Sequence, residues 1–417
     1  MPKYHIFTIG CQMNQAEAER LGSLMELKGF SGVEKPEDAD LVLLVSCAVR
    51  QSAEERIINR LAVLNKLKQD RPGLKVALTG CMVDEDPSAM RRTYPMVDYF
   101  FGAGQMPDFL DEIPPMILPG KPGVTAFVPI IQGCDNFCSY CIVPYRRGRE
   151  RSRTLEELQA ELTELVSRGV REVTLLGQNV NAWGHDLPGQ PDLADLLTSL
   201  SRQEGLLRLR FLTNHPKDMS ERLMRSLAEL DKVCPAVNLP VQAGDDRVLE
   251  LMRRGYTAGE YLDLVKRLRQ AVPGLALTTD IIVGFPGETE AQFQNTRSLM
   301  EQVRFDAVHL AVYSPRPGTE AAEKYPDDVP RDQKSRRLAE LERLQARIAG
   351  EINAALTGET VEVLVENQNR GRWRGRDIRG KLVFFESRME LSGRLVNVRI
   401  TDTGPWSLRG EIVEGGA

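Results

Sequence analysis

Apolar runs and amphipathic stretches alternate along the first hundred residues. Three short apolar runs predict buried strands, and the two stretches between them carry apolar side chains at helical spacing. The predicted strands are Lys3–Ile9, Leu41–Ser46 and Leu74–Leu78, and the predicted helices are Ala16–Lys28 and Ser52–Lys68. An alternating strand–helix order indicates a parallel sheet. We therefore predict an N-terminal α/β domain over residues 1–112.

A second strand–helix series follows Ile113–Val124, a segment rich in proline and glycine that predicts a linker. One of its helices begins with a capping box, Thr154–Glu157. The predicted strands are Thr125–Ile131, Val173–Leu176, Leu207–Leu212, Val237–Val241, Leu275–Val283 and Ala307–Val312. Repeated units of this kind predict a full or partial β/α barrel over residues 124–350. The active site of such a barrel lies at the C-terminal ends of its strands.

The pattern changes again towards the C-terminus. A charged helix from Arg331 to Ala355 precedes four short runs of alternating apolar and polar residues. These runs are Thr360–Glu366, Lys381–Phe385, Arg394–Ile400 and Ser407–Ile412. They predict a small all-β barrel over residues 356–414. The predicted fold class is α/β, with a parallel-sheet domain, a β/α barrel and a small β-barrel in that order.

Composition is that of an ordinary soluble globular protein, since 42% of the 417 residues are hydrophobic and 27% are charged. No stretch approaches the ~20 apolar residues that a membrane span needs. The N-terminal segment Met1–His5 lacks the apolar run of a secretory signal. We expect a cytoplasmic monomer that does not contact a membrane.

The formal net charge is −5, so any contact with nucleic acid needs a local basic patch. Two arginine-rich segments, Arg146–Arg153 and Arg370–Lys381, are candidates. Each segment is either a solvated face or an RNA-binding surface. The second segment lies between predicted strands, contains one acid, Asp377, and includes Trp373, whose ring suits base stacking.

Three cysteines each follow the C-terminal end of a predicted N-terminal strand: Cys11, Cys47 and Cys81. Because such strand ends share one edge of a parallel sheet, we expect the three cysteines to meet in space. Clustered cysteines in a reducing compartment more often bind metal than form disulfides. The pattern favours a shared metal site over three independent core cysteines. Cys234 has no partner motif and is predicted to be a buried core residue.

A second set, Cys134, Cys138 and Cys141, has the spacing Cys-x3-Cys-x2-Cys after a predicted strand. Three thiolates this close can ligate three irons of a [4Fe–4S] cluster and leave the fourth iron open to a small molecule. The alternatives are incidental cysteines or a structural zinc site. Structural zinc normally takes four protein ligands, and no histidine lies nearby in sequence.

With Tyr140 before its third cysteine, this loop resembles the signature of the radical S-adenosylmethionine superfamily. The resemblance implies that the open iron binds the amino and carboxylate groups of S-adenosylmethionine. Electron transfer to the bound molecule then yields a 5′-deoxyadenosyl radical. The chemistry belongs to the cofactor, while the protein supplies position and excludes water.

Five further motifs extend the likeness along the chain: Gly10–Asn14, Ser46–Arg50, Gly80–Met82, Cys141–Gly148 and Gly284–Thr289. With them the whole chain resembles the methylthiotransferase family within that superfamily, and its C-terminal barrel is similar to the family's RNA-binding TRAM domain. The resemblance implies a second [4Fe–4S] cluster on Cys11, Cys47 and Cys81. This auxiliary cluster would serve as the donor or carrier of sulfur.

Members of this family act on isopentenylated adenosine in tRNA, on threonylcarbamoylated adenosine in tRNA, or on an aspartate of a small-subunit ribosomal protein. Leu176–Gly184 and Phe211–Pro216 resemble the first class, although Ser46 stands where that class typically has asparagine. The resemblance implies methylthiolation at C2 of N6-isopentenyladenosine at position 37 of tRNA, next to the anticodon. The alternatives are the other two acceptors, or an iron–sulfur RNA-binding or electron-transfer protein without radical chemistry.

No catalytic side chain is predicted beyond the cluster ligands. Gln178, Gln242, Asp280 and Glu288 lie at predicted strand ends, where each either binds the cofactor or has a structural role. The predicted RNA-binding residues are Arg146, Arg147, Arg149, Arg370, Arg372, Trp373, Arg374 and Arg376. We expect an external electron donor of the flavodoxin or ferredoxin type.

Overall fold

The computed structural model describes residues 1–49, 51–84, 86–107, 110, 118, 120 and 122–413. Most of the predicted linker Ile113–Val124 lies outside these residues. So do residues 112 and 414, at which the first and last predicted domains end. No helix in the described ranges is long and apolar enough to cross a membrane.

The N-terminal domain is a five-stranded parallel sheet with helices on both faces. Its strands are β1 Lys3–Thr8, β2 Ser31–Gly32, β3 Leu41–Ser46, β4 Lys75–Gly80 and β5 Tyr99–Gly102, in the order β2-β1-β3-β4-β5. Its helices are α1 Gln12–Leu27, α2 Gln51–Asp70 and α3 Ser88–Thr93. The three predicted strands are confirmed, and the short edge strands β2 and β5 were not predicted.

Strand β3 is buried along its whole length, as expected for the centre of a parallel sheet. Its side chains alternate between two cores. Val42 and Leu44 pack in the core that contains the apolar face of α2, whereas Leu43 and Val45 pack in the core that contains α1. The sheet is therefore covered on both faces, and its C-terminal edge remains for a ligand.

The central domain is a partial barrel of six parallel strands. They form two three-stranded sheets, β6-β9-β10 and β11-β12-β13, which an isolated parallel bridge between Leu209 and Val233 connects. The strands are β6 Thr125–Pro129, β9 Glu172–Leu176, β10 Arg208–Phe211, β11 Ala236–Asn238, β12 Ala276–Val283 and β13 Ala307–Val312. An antiparallel pair, β7 Ile131–Gln132 and β8 Arg151–Ser152, flanks the cysteine loop.

Helices connect and cover these strands. They are α4 Val143–Arg147, α5 Leu155–Ser167, α6 Leu193–Leu200, α7 Glu221–Glu229, α8 Asp246–Leu251, α9 Ala258–Ala271, α10 Glu290–Val303, α11 Glu320–Lys324 and α12 Arg331–Ala354. The predicted capping box of α5 is confirmed, because Thr154 and Glu157 each accept a hydrogen bond from the other's backbone N–H.

The C-terminal module is a closed five-stranded barrel in the order β14-β15-β16-β18-β17. Its strands are β14 Thr360–Asn369, β15 Arg372–Asp377, β16 Leu382–Phe385, β17 Leu395–Thr403 and β18 Leu408–Ile412. The basic segment was expected between strands, and that expectation was wrong. Half of it forms β15, whose alternate residues Trp373, Gly375 and Asp377 face inward and are buried.

The small barrel docks at the N-terminal end of the central strands. Arg208, the first residue of β10, donates to the carbonyl oxygens of Arg376 and Glu362 at 2.7 and 3.1 Å. Next to the start of β13, Asp306 accepts from Lys381 at 2.7 Å. The barrel therefore lies at the end of the central domain opposite the C-terminal strand ends.

The N-terminal domain lies across the other end. Beyond the C-terminal end of β13, Ser314 donates to Gln51 at 3.0 Å and Arg316 pairs with Glu54 at 2.7 Å. Gln51 and Glu54 belong to the first turn of α2, just beyond the C-terminal end of β3. The C-terminal strand edges of the two domains thus face each other.

Candidate active site

The first three cysteines lie at the C-terminal edge of the N-terminal sheet. The buried side-chain amide of Asn14 donates to the carbonyl oxygens of Ile9 and Ser46, both at 2.9 Å, and so ties the end of β1 to the end of β3. The Ser46 hydroxyl donates to the carbonyl oxygen of Thr79 at 2.5 Å, and the Cys81 N–H donates to that of Ser46 at 3.1 Å. These bonds hold the ends of β1, β3 and β4 together.

Two glycines allow the backbone to pack this closely. Gly10 has φ +141, and a Cβ there would lie 2.8 Å from the Cβ of Cys47. Gly80 has φ +97, and a Cβ there would lie 2.3 Å from the carbonyl oxygen of Ser46. No other residue type fits at either position without displacing backbone or side chain. The glycines therefore position the neighbouring Cys11 and Cys81 at the shared edge.

The second cysteine set lies on the loop after β7. Gln178, at the C-terminal end of β9, accepts the backbone N–H of Gly133 at 2.7 Å. Ser139 donates its hydroxyl to the carbonyl oxygen of Leu251 at 2.6 Å and its N–H to that of Met252 at 3.1 Å. The loop is thus fastened on one side to the strand ends and on the other to α8.

Each cysteine set receives a hydrogen bond from a buried arginine. Arg254 donates to Cys138 Sγ at 3.3 Å, and Arg147 donates to Cys81 Sγ at 3.1 Å. The amide of Asn136 adds a donor 3.4 Å from Cys134 Sγ. Donors aimed at sulfur suit a ligating thiolate, because hydrogen bonds to cluster sulfurs are a main influence on its chemistry.

Burial raises the pKa of Cys81 to about 11 and that of Cys141 to about 12. It also raises the pKa of Cys134. Without a metal these thiols stay protonated at neutral pH, so a metal or cluster that binds here must displace their protons.

In the part of the chain that the structure describes, no three histidine, cysteine, aspartate or glutamate side chains are placed to hold a single metal ion. The geometry therefore gives no support to a zinc site, which needs its ligands gathered around one ion. In a [4Fe–4S] cluster each cysteine binds a different iron, so the ligands surround a larger body.

Polar side chains line the ends of β9 and β10. Within the described residues, the side-chain oxygens of Asn179 and Asn214 are buried and have no hydrogen-bond partner. Their amide nitrogens donate to Asp218 and to the carbonyl oxygen of Asn238, both at 2.8 Å, which fixes both side chains. Unpartnered buried acceptors are costly, so a ligand with polar donors fits these strand ends.

The predicted cofactor residues have different surroundings. Gln178 serves the cysteine loop, as described above. Gln242 has φ +73, and its N–H donates to the carbonyl oxygen of Asp280 at 2.9 Å. Glu288 pairs with buried Arg337 at 2.8 Å. Cofactor contact by these four residues stays a prediction.

The structure changes the reading of the first basic segment. Arg147 is only 7% exposed and points into the N-terminal domain, so it is not available to nucleic acid. Arg146 is paired with Asp84 across the domain interface. Arg149 has an exposed side chain and pairs with Asp135 at 2.7 Å. Arg149 is therefore the best placed of the three to contact RNA.

The second basic segment is more neutralised than its sequence suggests. Glu386 pairs with Arg372 at 3.3 Å, and Glu366 pairs with both Arg374 and Arg376 at 3.0 Å. Trp373 is 4% exposed, packs in the barrel core and donates its indole N–H to the carbonyl oxygen of Ser387. The prediction that Trp373 stacks on bases does not fit this burial.

Several residues at the site were not singled out from the sequence: Asn14, Arg254, Asn179 and Asn214. Asn14, Asn179 and Asn214 lie within motifs that carried the resemblance, so their motifs were a signal that could have found them. Arg254 had no such signal. It lies far from the cysteine loop in sequence and reaches Cys138 only through the fold.

Three family models match the chain. The Radical SAM superfamily matches residues 128–300, the uncharacterized protein family UPF0004 matches residues 3–102, and the TRAM domain matches residues 354–413. These spans correspond to the partial barrel, the parallel-sheet domain and the small β-barrel. Fold and site together define a radical S-adenosylmethionine protein with an N-terminal cysteine-bearing domain and a C-terminal TRAM barrel.

Curated relatives identify the family more closely. The tRNA-2-methylthio-N(6)-dimethylallyladenosine synthase of Dehalococcoides mccartyi strain 195 is 55% identical over 415 residues, which cover 99% of each chain. The protein of the same name from Roseiflexus sp. strain RS-1 is 49% identical and covers 98% of this chain and 89% of its own. The chain belongs to the family of tRNA-2-methylthio-N(6)-dimethylallyladenosine synthases.

A solved structure supports the fold. The radical S-adenosylmethionine methyltransferase TsrM from Kitasatospora setae, with cobalamin and a [4Fe-4S] cluster bound, superposes with a TM-score of 0.56. Its sequence identity is 15%, and the match covers 77% of this chain and 74% of the other. At this identity the likeness concerns the fold alone.

Proposed function

We propose that this protein is a radical S-adenosylmethionine methylthiotransferase. Its substrate is N6-isopentenyladenosine (the N6-dimethylallyladenosine of the relatives' name) at position 37 of tRNA, next to the anticodon, where it installs a methylthio group at C2. The observation that carries the proposal is the presence of two cysteine sets at facing strand edges, which Arg147 connects. Two facing sets suit a reaction in which one centre generates a radical and the other supplies sulfur.

Cys134, Cys138 and Cys141 hold one [4Fe–4S] cluster, and Cys11, Cys47 and Cys81 hold the other. When bound, the first cluster would supply the electron that cleaves S-adenosylmethionine. Gln178 and Ser139 hold the cysteine loop in place, so that its ligands keep one geometry.

The strand ends of the partial barrel receive S-adenosylmethionine. The unpartnered side-chain oxygens of Asn179 and Asn214 accept hydrogen bonds from its amino or ribose groups. His215 stays neutral there, since burial, together with nearby Arg254 and Lys217, lowers its pKa to about 2. A neutral imidazole adds no positive charge next to a cationic sulfonium.

The protein acts in the cytoplasm as a monomer and takes its electron from an external flavodoxin- or ferredoxin-like protein. The tRNA reaches the site between the domains, where the exposed Arg149 borders the cysteine loop. Relatives that carry the synthase name over their full length support this choice of acceptor over a ribosomal protein.

The test is nucleoside mass spectrometry after reaction. Purified protein, reconstituted anaerobically with iron and sulfide, is incubated with dithionite, S-adenosylmethionine and tRNA that carries N6-isopentenyladenosine. We expect 5′-deoxyadenosine and a nucleoside in which a methylthio group replaces one hydrogen. The matched control is tRNA that carries threonylcarbamoyladenosine, which we expect to remain unchanged.

Two results would refute the proposal. Methylthiolation of the control tRNA alone would transfer the assignment to the threonylcarbamoyladenosine class. Clusters that form without any cleavage of S-adenosylmethionine would favour an iron–sulfur RNA-binding or electron-transfer protein.

A further inference from the structure

Arg147 belongs to the radical-cluster domain in sequence but to the other domain in its contacts. It ends α4, six positions after Cys141. Its Nε donates to Cys81 Sγ at 3.1 Å, and its Nη1 donates to Glu17 at 2.5 Å. Its Nη2 donates to the side-chain oxygen of Asn14 at 3.3 Å. All three nitrogens therefore bond to the N-terminal domain.

Arg147 is buried, so its charge must be balanced by neighbouring side chains. The Arg147 side chain is 3% exposed, and the side chain of its partner Glu17 is 15% exposed. A buried guanidinium always carries its charge, so it needs both a counter-ion and full hydrogen bonding. Glu17 supplies the counter-ion, and the sulfur of Cys81 receives a charge-assisted bond.

The contacts of Arg147 differ from those of Arg254, the other arginine that bonds to a cysteine. Besides Cys138, Arg254 donates to the carbonyl oxygen of Pro240 and to the hydroxyl of Tyr256, both in its own domain. Arg147 alone of the two joins the helix that follows one cysteine set to a sulfur of the other set. Its position depends on the docking of the two domains.

A cationic donor beside a ligating sulfur stabilises the more negative, reduced state of a cluster and so raises its reduction potential. We infer that Arg147 is a positioning residue that ties the auxiliary cluster to the radical-cluster helix and raises the reduction potential of the auxiliary cluster. This inference rests on the proposed function, because it takes Cys11, Cys47 and Cys81 as ligands of that cluster.

The competing explanation is that Arg147 only docks the domains. The chain contains a matched pair that does so without touching sulfur. Arg20, on α1, donates to Glu161, on α5, at 2.9 Å, and the Glu161 side chain is 2% exposed. Glu161 also pairs with Arg153 of its own domain at 2.6 Å. Arg20→Gln therefore breaks an ion pair between the same two domains, leaves Glu161 with a counter-ion and leaves Cys81 untouched.

The experiment uses a parent in which Cys134, Cys138 and Cys141 are all changed to alanine, so that only the auxiliary cluster loads. The full-length parent and its Arg147→Gln, Arg147→Lys and Arg20→Gln derivatives are reconstituted anaerobically with iron and sulfide. Iron per chain is measured, and the midpoint potential is obtained from a redox titration followed by electron paramagnetic resonance.

We expect Arg147→Gln to shift the midpoint potential to a more negative value. Arg147→Lys is expected to shift it in the same direction by less, because one ammonium cannot bond Cys81, Glu17 and Asn14 together. Arg20→Gln is expected to keep the parent's potential. If Arg147→Gln binds no cluster, the midpoint potential of Arg147→Lys tests the inference instead.

An unshifted potential in the loaded Arg147 variants would overturn the inference. An equal shift in Arg20→Gln would also overturn it, since domain docking would then explain the effect. A parent that binds no cluster would refute the assignment of Cys11, Cys47 and Cys81, and the inference with it. Loaded clusters with unshifted potentials would leave the proposed function intact.

Discussion

The seven cysteines occupy three different settings. One set of three follows strands of a parallel sheet, a second set shares a single loop, and Cys234 stands alone. Burial raises the pKa of Cys234 to about 12, and Arg210 and Glu172 lie close to it. Its burial fits the predicted core role, and no motif or neighbouring cysteine suggests ligation.

These settings predict different outcomes of substitution. We expect Cys141→Ala to abolish 5′-deoxyadenosine formation, and Cys81→Ala to leave that reaction and stop methylthiolation. Each variant is expected to lose about half the iron, because each cluster has its own ligands. Iron analysis and product chromatography measure both effects. Cys234→Ala serves as the control, and we expect it to keep its iron. Cleavage of S-adenosylmethionine by Cys141→Ala would contradict the assignment of the loop.

His215 predicts a pH dependence of stability. Its folded-state pKa of about 2 lies below the usual value of 6.5. The unfolded chain therefore binds a proton that the folded chain does not, so stability present above pH 6.5 is lost as the pH falls. When the pH falls from 7 to 5.5, we expect the free energy of unfolding of wild type to decrease by about 1 kcal/mol more than that of His215→Asn. Urea denaturation at both pH values measures this difference, and equal losses would contradict it.

At the scale of elements, the end of β4 depends on a residue without a side chain. Gly80→Ala would combine a left-handed φ with a Cβ 2.3 Å from the carbonyl oxygen of Ser46. We expect the free energy of unfolding of Gly80→Ala to be lower than that of wild type by roughly 1–3 kcal/mol. The matched control is Gly73→Ala, because nothing lies within 4 Å of the added Cβ. Thermal melting compares the two variants, and equal melting temperatures would show that the sheet edge relaxes freely.

Strand β10 fixes the small barrel through Arg210. Its guanidinium pairs with buried Glu172 at 2.9 Å and donates to the carbonyl oxygens of Ile378 and Asp377 at 2.8 and 2.9 Å. Arg210→Met would leave Glu172 buried and unpaired. We expect this to destabilise the folded protein by about 3–5 kcal/mol. We expect limited proteolysis to release the C-terminal barrel.

The control for that experiment is Arg372→Met. The pair that it breaks, with Glu386, is largely exposed, and exposed pairs contribute at most about 1 kcal/mol. Similar proteolysis of the two variants would contradict the docking role of Arg210.

At the scale of the whole molecule, the cysteine-bearing domain and the TRAM barrel lie at opposite ends of the partial barrel. The first meets the C-terminal strand ends through Arg316 and Arg147, and the second meets the N-terminal ends through Arg208 and Lys381. An RNA that contacts both the clusters and the TRAM barrel must therefore extend along the central domain.

This arrangement modifies the expected salt dependence of tRNA binding. Three of the four arginines in Arg370–Arg376 are paired with glutamates of the same barrel, and paired arginines release fewer counterions from RNA. We expect the change of all four to serine to reduce the log–log salt slope by about 0.9 or less, the value of one phosphate contact. Binding isotherms at several salt concentrations measure the slope. If the slope fell by about 3, all four arginines would contact phosphates, and their pairing with glutamates would not prevent RNA binding.

Local pattern alone predicted much of this protein. The central strand β3 was predicted with its observed bounds, because a continuous apolar run of that length suits a buried parallel strand. Strand β13 also has its predicted bounds, although it is only partly buried. The loop of Cys134, Cys138 and Cys141 was found from spacing, since its ligands are neighbours in sequence. The grouping of Cys11, Cys47 and Cys81 followed from the rule that parallel strand ends share an edge.

Other features depended on the tertiary structure. Local sequence identifies Arg147 as basic but not its partners, so a buried donor to Cys81 resembled a surface RNA contact. The burial of Trp373 and the pairing of the β15 arginines have the same kind of origin. Period-2 alternation points Trp373 into the barrel core, and the neighbouring strand β14 supplies Glu366 to Arg374 and Arg376. Sequence determined the two cysteine sets and most of the strands, whereas the charge and exposure of each site depended on contacts between residues far apart in the chain.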